Sequence, residues 1–162
     1  KQDFKHKLII AGNHDSWFDG AEDWELSAVI LSSTYLFNES IVIDGVKFYG
    51  MPVMPKYGLF SFMVDRNSQE MEDIVNKIPT DTDVLITHGP PFGIMDKKST
   101  NFNCGCEVLL DKVNEVKPKV HCFGHIHESY GIKRIDKTTF VNASQVGFMN
   151  KLKKDPLVVE IN

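Results

Sequence analysis

Apolar residues along the chain fall into short runs bounded by glycine, proline and polar residues. Residues 7–11 are strongly apolar and predict a buried strand. Asp19-Gly20 predicts a turn, after which Leu26, Val29 and Ile30 recur at helical spacing and predict a helix over 21–33. Residues 41–50 carry two β-branched or aromatic runs around Asp44-Gly45, the pattern of a hairpin. Pro52 and Pro55 make 50–58 a loop. Met71, Ile74, Val75 and Ile78 share one face of a helix over 68–78, with Asn67 and Glu70 at capping-box spacing and Pro79 as its stop. Residues 83–91 read as a buried strand running into a His88-Gly89-Pro90-Pro91 turn. Leu109, Val113 and Val116 predict a helix over 106–117, ended by Pro118. A strand over 119–127 ends in histidines, and 131–142 and 156–161 read as strands of a closing sheet. Helix and strand alternate and then strands dominate, which predicts an α/β domain with helices outside a sheet or a pair of sheets. No repeat or linker divides the chain, and its 162 residues suffice for one domain with a hydrophobic core.

Three of these strands end alike. "LIIAGNHD", "VLITHG" and "HCFGHIH" each pass from an apolar run to polar residues beside a glycine. Ligands of α/β sheets collect outside the carboxyl ends of strands, so Asn13, His14, His88, His125 and His127 are predicted to converge. Imidazoles with an amide oxygen suit a transition metal such as Zn, Mn or Fe. Asp15 is placed to accept the second ring proton of His14 and fix its tautomer. His6 and His121 lie outside the pattern and are read as an exposed residue and a packed strand residue.

Charge and composition narrow the partners. The net charge of −4 gives no electrostatic reason to expect nucleic-acid binding, and no apolar stretch is long enough to cross a bilayer. Lys151, Lys153 and Lys154 read as a solvated basic loop. The odd count of three cysteines, Cys104, Cys106 and Cys122, argues against a disulfide framework and for a reducing, cytoplasmic compartment. "CGC" at 104–106 reads as free thiols at a helix start rather than a metal site. The glycosylation patterns at Asn38 and Asn142 read as accidental. Trp17, Phe18, Phe92 and Tyr130 lie beside the motifs, where they could pack or stack on a nucleobase.

Gly12-Asn13-His14-Asp15, His88-Gly89-Pro90-Pro91 and Gly124-His125-Ile126-His127 resemble the calcineurin-like metallophosphoesterases. "KFYGMPVMP", "DVLITHGPPFG", "GCEVLL", "KPKVHCFGHIHESYG" and "FVNAS", in that order, resemble the MPPED branch of that superfamily, across about residues 7 to 161. The resemblance implies two packed β-sheets flanked by helices, with a two-metal site at strand ends that hydrolyses phosphoesters. It implies that Asn13, His88 and His125 bind the second metal and His127 the first. It places Asn13 and His14 at the substrate, with His14 near the leaving-group oxygen as proton donor or charge stabiliser and Asp15 orienting it. Asn142 is placed near the site. The implied substrate is a small phosphate ester, with a lean towards cyclic nucleotides.

The family also carries an Asp-x-His and a Gly-Asp ahead of these motifs, and neither stands in this chain. The expectation is therefore an N-terminally truncated domain lacking the first strands, with one divalent ion or none and the first site empty or weakened. Unpaired strand edges would then favour a homo-oligomer. The alternative is a catalytically degenerate module that keeps the fold for binding or scaffolding.

Overall fold

Asp44 and Gly45 both take positive φ, 50° and 83°, the conformation that an Asp-Gly hairpin turn requires. The computed structural model describes residues 3–146 and 154–161. Its elements run β1 (Leu8–Ile9), α1 (Asp23–Val29), β2 (Thr34–Tyr35), β3 (Glu39–Ile43), β4 (Val46–Met51), β5 (Met54–Pro55) and β6 (Met63–Val64). There follow α2 (Gln69–Asn76), β7 (Val84–Thr87), α3 (Glu107–Val116), β8 (Val120–Phe123), β9 (Gly131–Ile135) and β10 (Thr138–Asn142). One six-stranded sheet has the order β3-β4-β7-β8-β10-β9. Its four inner strands are parallel and only the outer strands β3 and β9 run antiparallel. All four inner strands therefore end on one edge, at Met51, Thr87, Phe123 and Asn142.

The sheet is apolar on both faces, as an inner parallel sheet must be. Leu85, Phe123 and Phe140 point to one side, where Met71 and Val75 of α2 and Leu109 and Val113 of α3 close the main core. Their neighbours Val84, Val120 and Val141 point to the other side. Leu157 and Val159 cover that second face, but 156–161 forms no strand and crosses as extended chain, contrary to the expected closing strand. Beside the large sheet stand two short parallel pairs, β1-β2 and β5-β6. The mixed α/β architecture is as expected; among the described residues the remaining strands form these two short pairs rather than a full second sheet.

Close packing explains one of the glycines. A Cβ on Gly50 would lie 2.3 Å from Leu36 Cβ and 2.9 Å from Ile10 Cγ2, so the β1-β2 region reaches β4 only over a bare backbone.

Local signals were read correctly in kind and less well in extent. The first helix covers Asp23–Val29 rather than 21–33, and Val29, assigned to its buried face, is 62% exposed. Ser68, not Asn67, caps α2: its hydroxyl accepts from Met71 N at 3.2 Å, while Asn67 takes a φ of 54°. Part of the predicted 50–58 loop becomes β5, paired with β6. α3 begins after Cys106, whose sulfur accepts from Leu109 N, and ends at left-handed Lys117 just before Pro118. No helix among the described residues is long and apolar enough to cross a membrane. Lys151 and Lys153 lie outside the described residues.

Candidate active site

The first motif turns sharply after β1. Asp15 N donates to Gly12 O at 3.0 Å, and the Asp15 carboxylate accepts from Gly12 N at 2.7 Å. Asp15 thus staples the turn. It makes this bond in place of the predicted one to the His14 ring, because a three-residue turn brings its carboxylate back onto the backbone. The turn buries Asn13 and leaves His14 exposed.

The second motif follows β7. His88 N donates to Met51 O, which holds the residue beside the end of β4. The His88 ring lies over Gly12, where a Cβ would stand 2.5 Å from Cε1. That contact requires glycine. His88 Nε2 lies 2.7 Å from Asn13 Oδ1. Asn13 Nδ2 donates to Tyr57 Oη at 2.9 Å, so both ends of the amide are engaged.

The third motif follows β8. Gly124 N donates to His88 O at 3.0 Å, tying the two turns together. His125 takes a φ of +68°, strained for a residue with a side chain. Its ring lies edge-on to His88, with centroids 5.1 Å apart, and 5.2 Å from the Tyr57 ring. His127 opens a short 3-10 turn, and Lys154 Nζ donates to its carbonyl.

Asn13, His88 and His125, from strand ends 37 to 112 positions apart in sequence, therefore meet at one place. Burial pushes the His88 pKa down to about 4, against an opposing pull from Asp15, and the positive charge of His14 lowers it further. Burial likewise pushes His125 down to about 3, helped by the charges of His88, Lys98, His127 and His14. Both rings are neutral at pH 7, so each keeps a lone pair for a cation.

An amide oxygen and two neutral imidazoles fit one transition cation. Among the described residues no group of three or more His, Cys, Asp or Glu is gathered as a metal would need, so the donor set found here is the amide and the two imidazoles.

Several contributors carried no sequence signal. Tyr57 sits in a stretch read as plain loop, yet it touches Asn13 and His125. Phe60 packs edge-on to His14 with centroids 5.1 Å apart. Conversely, the aromatics flanking the motifs serve the scaffold: Trp17 packs on Phe18, Phe18 on Tyr35, and the Tyr130 hydroxyl donates to Asp155 O. Asn142 is buried and holds the third turn, donating to Ile126 O at 2.9 Å and Met95 O at 3.2 Å while accepting from Ser144 N. Its burial also removes it as a glycan acceptor in the folded chain.

His6 is exposed and His121 packs inside, as expected. Thr87 gives its only proton to Gly89 O at 2.7 Å, so His121 Nε2, 2.9 Å away, is the donor to Thr87 Oγ1. Burial lowers the His121 pKa from 6.5 to about 3. Between those values the unfolded chain binds the extra proton. The stability His121 contributes is therefore complete above about pH 6.5 and is lost as pH falls towards 3, by at most ~1.4 kcal/mol per pH unit. Urea unfolding between pH 6.5 and 4 is expected to show this slope, reduced in His121→Gln; an unchanged slope in that variant refutes the assignment.

The calcineurin-like phosphoesterase profile matches residues 1–129. The chain belongs to that family. A UPF0046 protein of Caenorhabditis elegans is 36% identical over 97% of this chain and 58% of its own length. Human metallophosphoesterase domain-containing protein 1 is 32% identical over 98% of this chain and 56% of its own. A probable rhamnogalacturonate lyase C of Emericella nidulans is 35% identical over 80% of this chain but only 13% of itself. A solved crystal structure shares the fold with a TM-score of 0.62 at 19% identity, covering 85% of this chain and 56% of that one. The chain thus spans less than two thirds of the length of the first relatives. Family membership supports a phosphoesterase type of function, and divalent metals are the general cofactors of that family.

Proposed function

We propose that this chain is the metal-binding part of a phosphoesterase that hydrolyses a small phosphate ester, with a cation held by Asn13, His88 and His125. The observation that carries the reading is the 2.7 Å approach of His88 Nε2 to Asn13 Oδ1, with the His125 ring against His88. A bound divalent ion would polarise a phosphoryl oxygen and acidify a water. The chain's own residues do the rest. Asn13 and His14 line an open cleft of about 510 Å³ with Ser16, Asp19 and Phe60, where an ester can lie. His14, exposed and braced by Phe60, is the proton donor or charge stabiliser for the departing oxygen. His127 is the remaining ligand, on the side of the first metal. Mn, Fe and Zn all suit these donors, and the free thiols fit a cytoplasmic setting.

Equilibrium dialysis against Mn²⁺, Fe²⁺ and Zn²⁺, with hydrolysis of bis(p-nitrophenyl) phosphate, tests this. About one ion per chain and Mn-stimulated turnover are expected; no bound ion overturns it. Binding of an ester without turnover favours the second reading, a degenerate module.

The same reading includes self-association. Among the described residues the outer strands β3 and β9 each have an unpaired edge, and Phe4, Leu31 and Phe37 are 64%, 85% and 49% exposed. Light scattering coupled to gel filtration is expected to give a dimer; a monomer across a wide concentration range removes the idea.

A further inference from the structure

A second cleft, of about 220 Å³, has His125 in its wall. Met54, Tyr57 and Phe102 also line it, with Lys98 and Arg66 as its cations, and no carboxylate lines it. Lys98 Nζ stands 5.2 Å from the centre of the Tyr57 ring, and the salt bridges of the described residues leave its ammonium without a carboxylate partner. The Tyr57 ring in turn contacts His125 and its hydroxyl accepts from Asn13, so one side chain joins this cleft to two of the three proposed ligands.

The loop that carries Lys98 and Phe102 is built rather than loose. The buried carboxylate of Asp96 accepts from Gly93 N and Gly105 N, both at 2.9 Å. Lys98 N donates to Phe102 O and Asn101 N to Lys98 O. Arg66 donates to the carbonyls of Cys104 and Gly105 and to Glu107, so its charge is spent on holding the loop. Lys98 is left as the cation that faces the cleft.

We propose that this cleft binds the retained organic group of a phosphodiester, selecting a planar aromatic group, with Lys98 contacting an anionic oxygen of the ester. The assignment rests on the phosphoesterase reading above, in which His14 faces the departing group. An apolar floor between aromatic rings favours a flat ring over a methyl group by burial of apolar surface, on the order of tenfold in affinity. A lone ammonium beside that floor suits an anion.

The test is metal-free NMR titration of the full chain with diphenyl phosphate, dimethyl phosphate and benzyl alcohol. Diphenyl phosphate is expected to bind about tenfold more tightly than dimethyl phosphate, with shift changes centred on Tyr57, Lys98 and Phe102. Phe102→Ala is expected to remove the preference, and Lys98→Ala to weaken both anions about fivefold while Lys98→Arg keeps them. Both side chains are exposed, so the variants should fold. Equal affinities, a preference that survives Phe102→Ala, or benzyl alcohol binding as tightly as diphenyl phosphate overturns the proposal. Aromatic preference in a chain that takes up no Mn²⁺ upholds the cleft and tells against the metal-dependent reading alone.

Discussion

Replacing His14 with alanine is expected to lower hydrolysis of an ester with an alkoxide leaving group by about 10²-fold or more while Mn²⁺ stays bound. The expectation follows from placement. His14 is exposed, lines the open cleft beside Asn13 and packs on Phe60, while Asn13, His88 and His125 meet one another without it. Removing an exposed ring leaves their contacts in place. An alkoxide departs poorly without a proton, whereas p-nitrophenolate departs readily. A proton donor therefore predicts a much smaller loss on p-nitrophenyl esters than on alkyl esters. A charge stabiliser predicts similar losses on both. Both kcat and kcat/KM should fall together, since the interaction belongs to the transition state. Unchanged hydrolysis of the alkyl ester in His14→Ala would remove the residue from the mechanism.

How far the site was legible depended on what each residue answers to. Strand-end histidines could be read because a short apolar run followed by Gly and His is a local pattern, and the parallel inner strands then bring distant ends to one edge. The hairpin at Asp44-Gly45 and the helix faces of α2 and α3 were legible for the same reason. Tyr57 and Lys98 were not: Tyr57 lies in the connection between β5 and β6, and Lys98 in the loop pinned by Asp96 and Arg66, neither of which any periodicity encodes. Asp15 shows the opposite failure. The residue was singled out correctly as part of the motif, but its carboxylate bonds the backbone of Gly12, a choice between two nearby donors that spacing alone does not decide. Residues 156–161 alternate like a strand, yet the face they cover needs only Leu157 and Val159 buried, and extended chain does that without ladder pairing.

His88→Ala is expected to weaken cation binding by at least about 100-fold, because it deletes a neutral imidazole from a three-donor set. The variant also frees Asn13 Oδ1 from its partner, at a cost of about 1–3 kcal/mol if no water replaces the bond. Loss of binding could therefore come with partial loss of fold, and a companion variant separates the two. Gly12→Ala keeps every donor but sets a methyl group 2.5 Å from His88 Cε1, so the ring must shift away from Asn13. Cation affinity should then fall about tenfold or more, as expected when a ligand is held out of position. Thermal midpoints of both variants, measured without metal, report the fold, and dialysis against Mn²⁺ reports the site. If both variants stay folded and bind Mn²⁺ as the parent does, His88 is not a ligand. The 2.7 Å contact with Asn13 would then be what it is in the absence of a cation, a hydrogen bond that joins two turns of the scaffold.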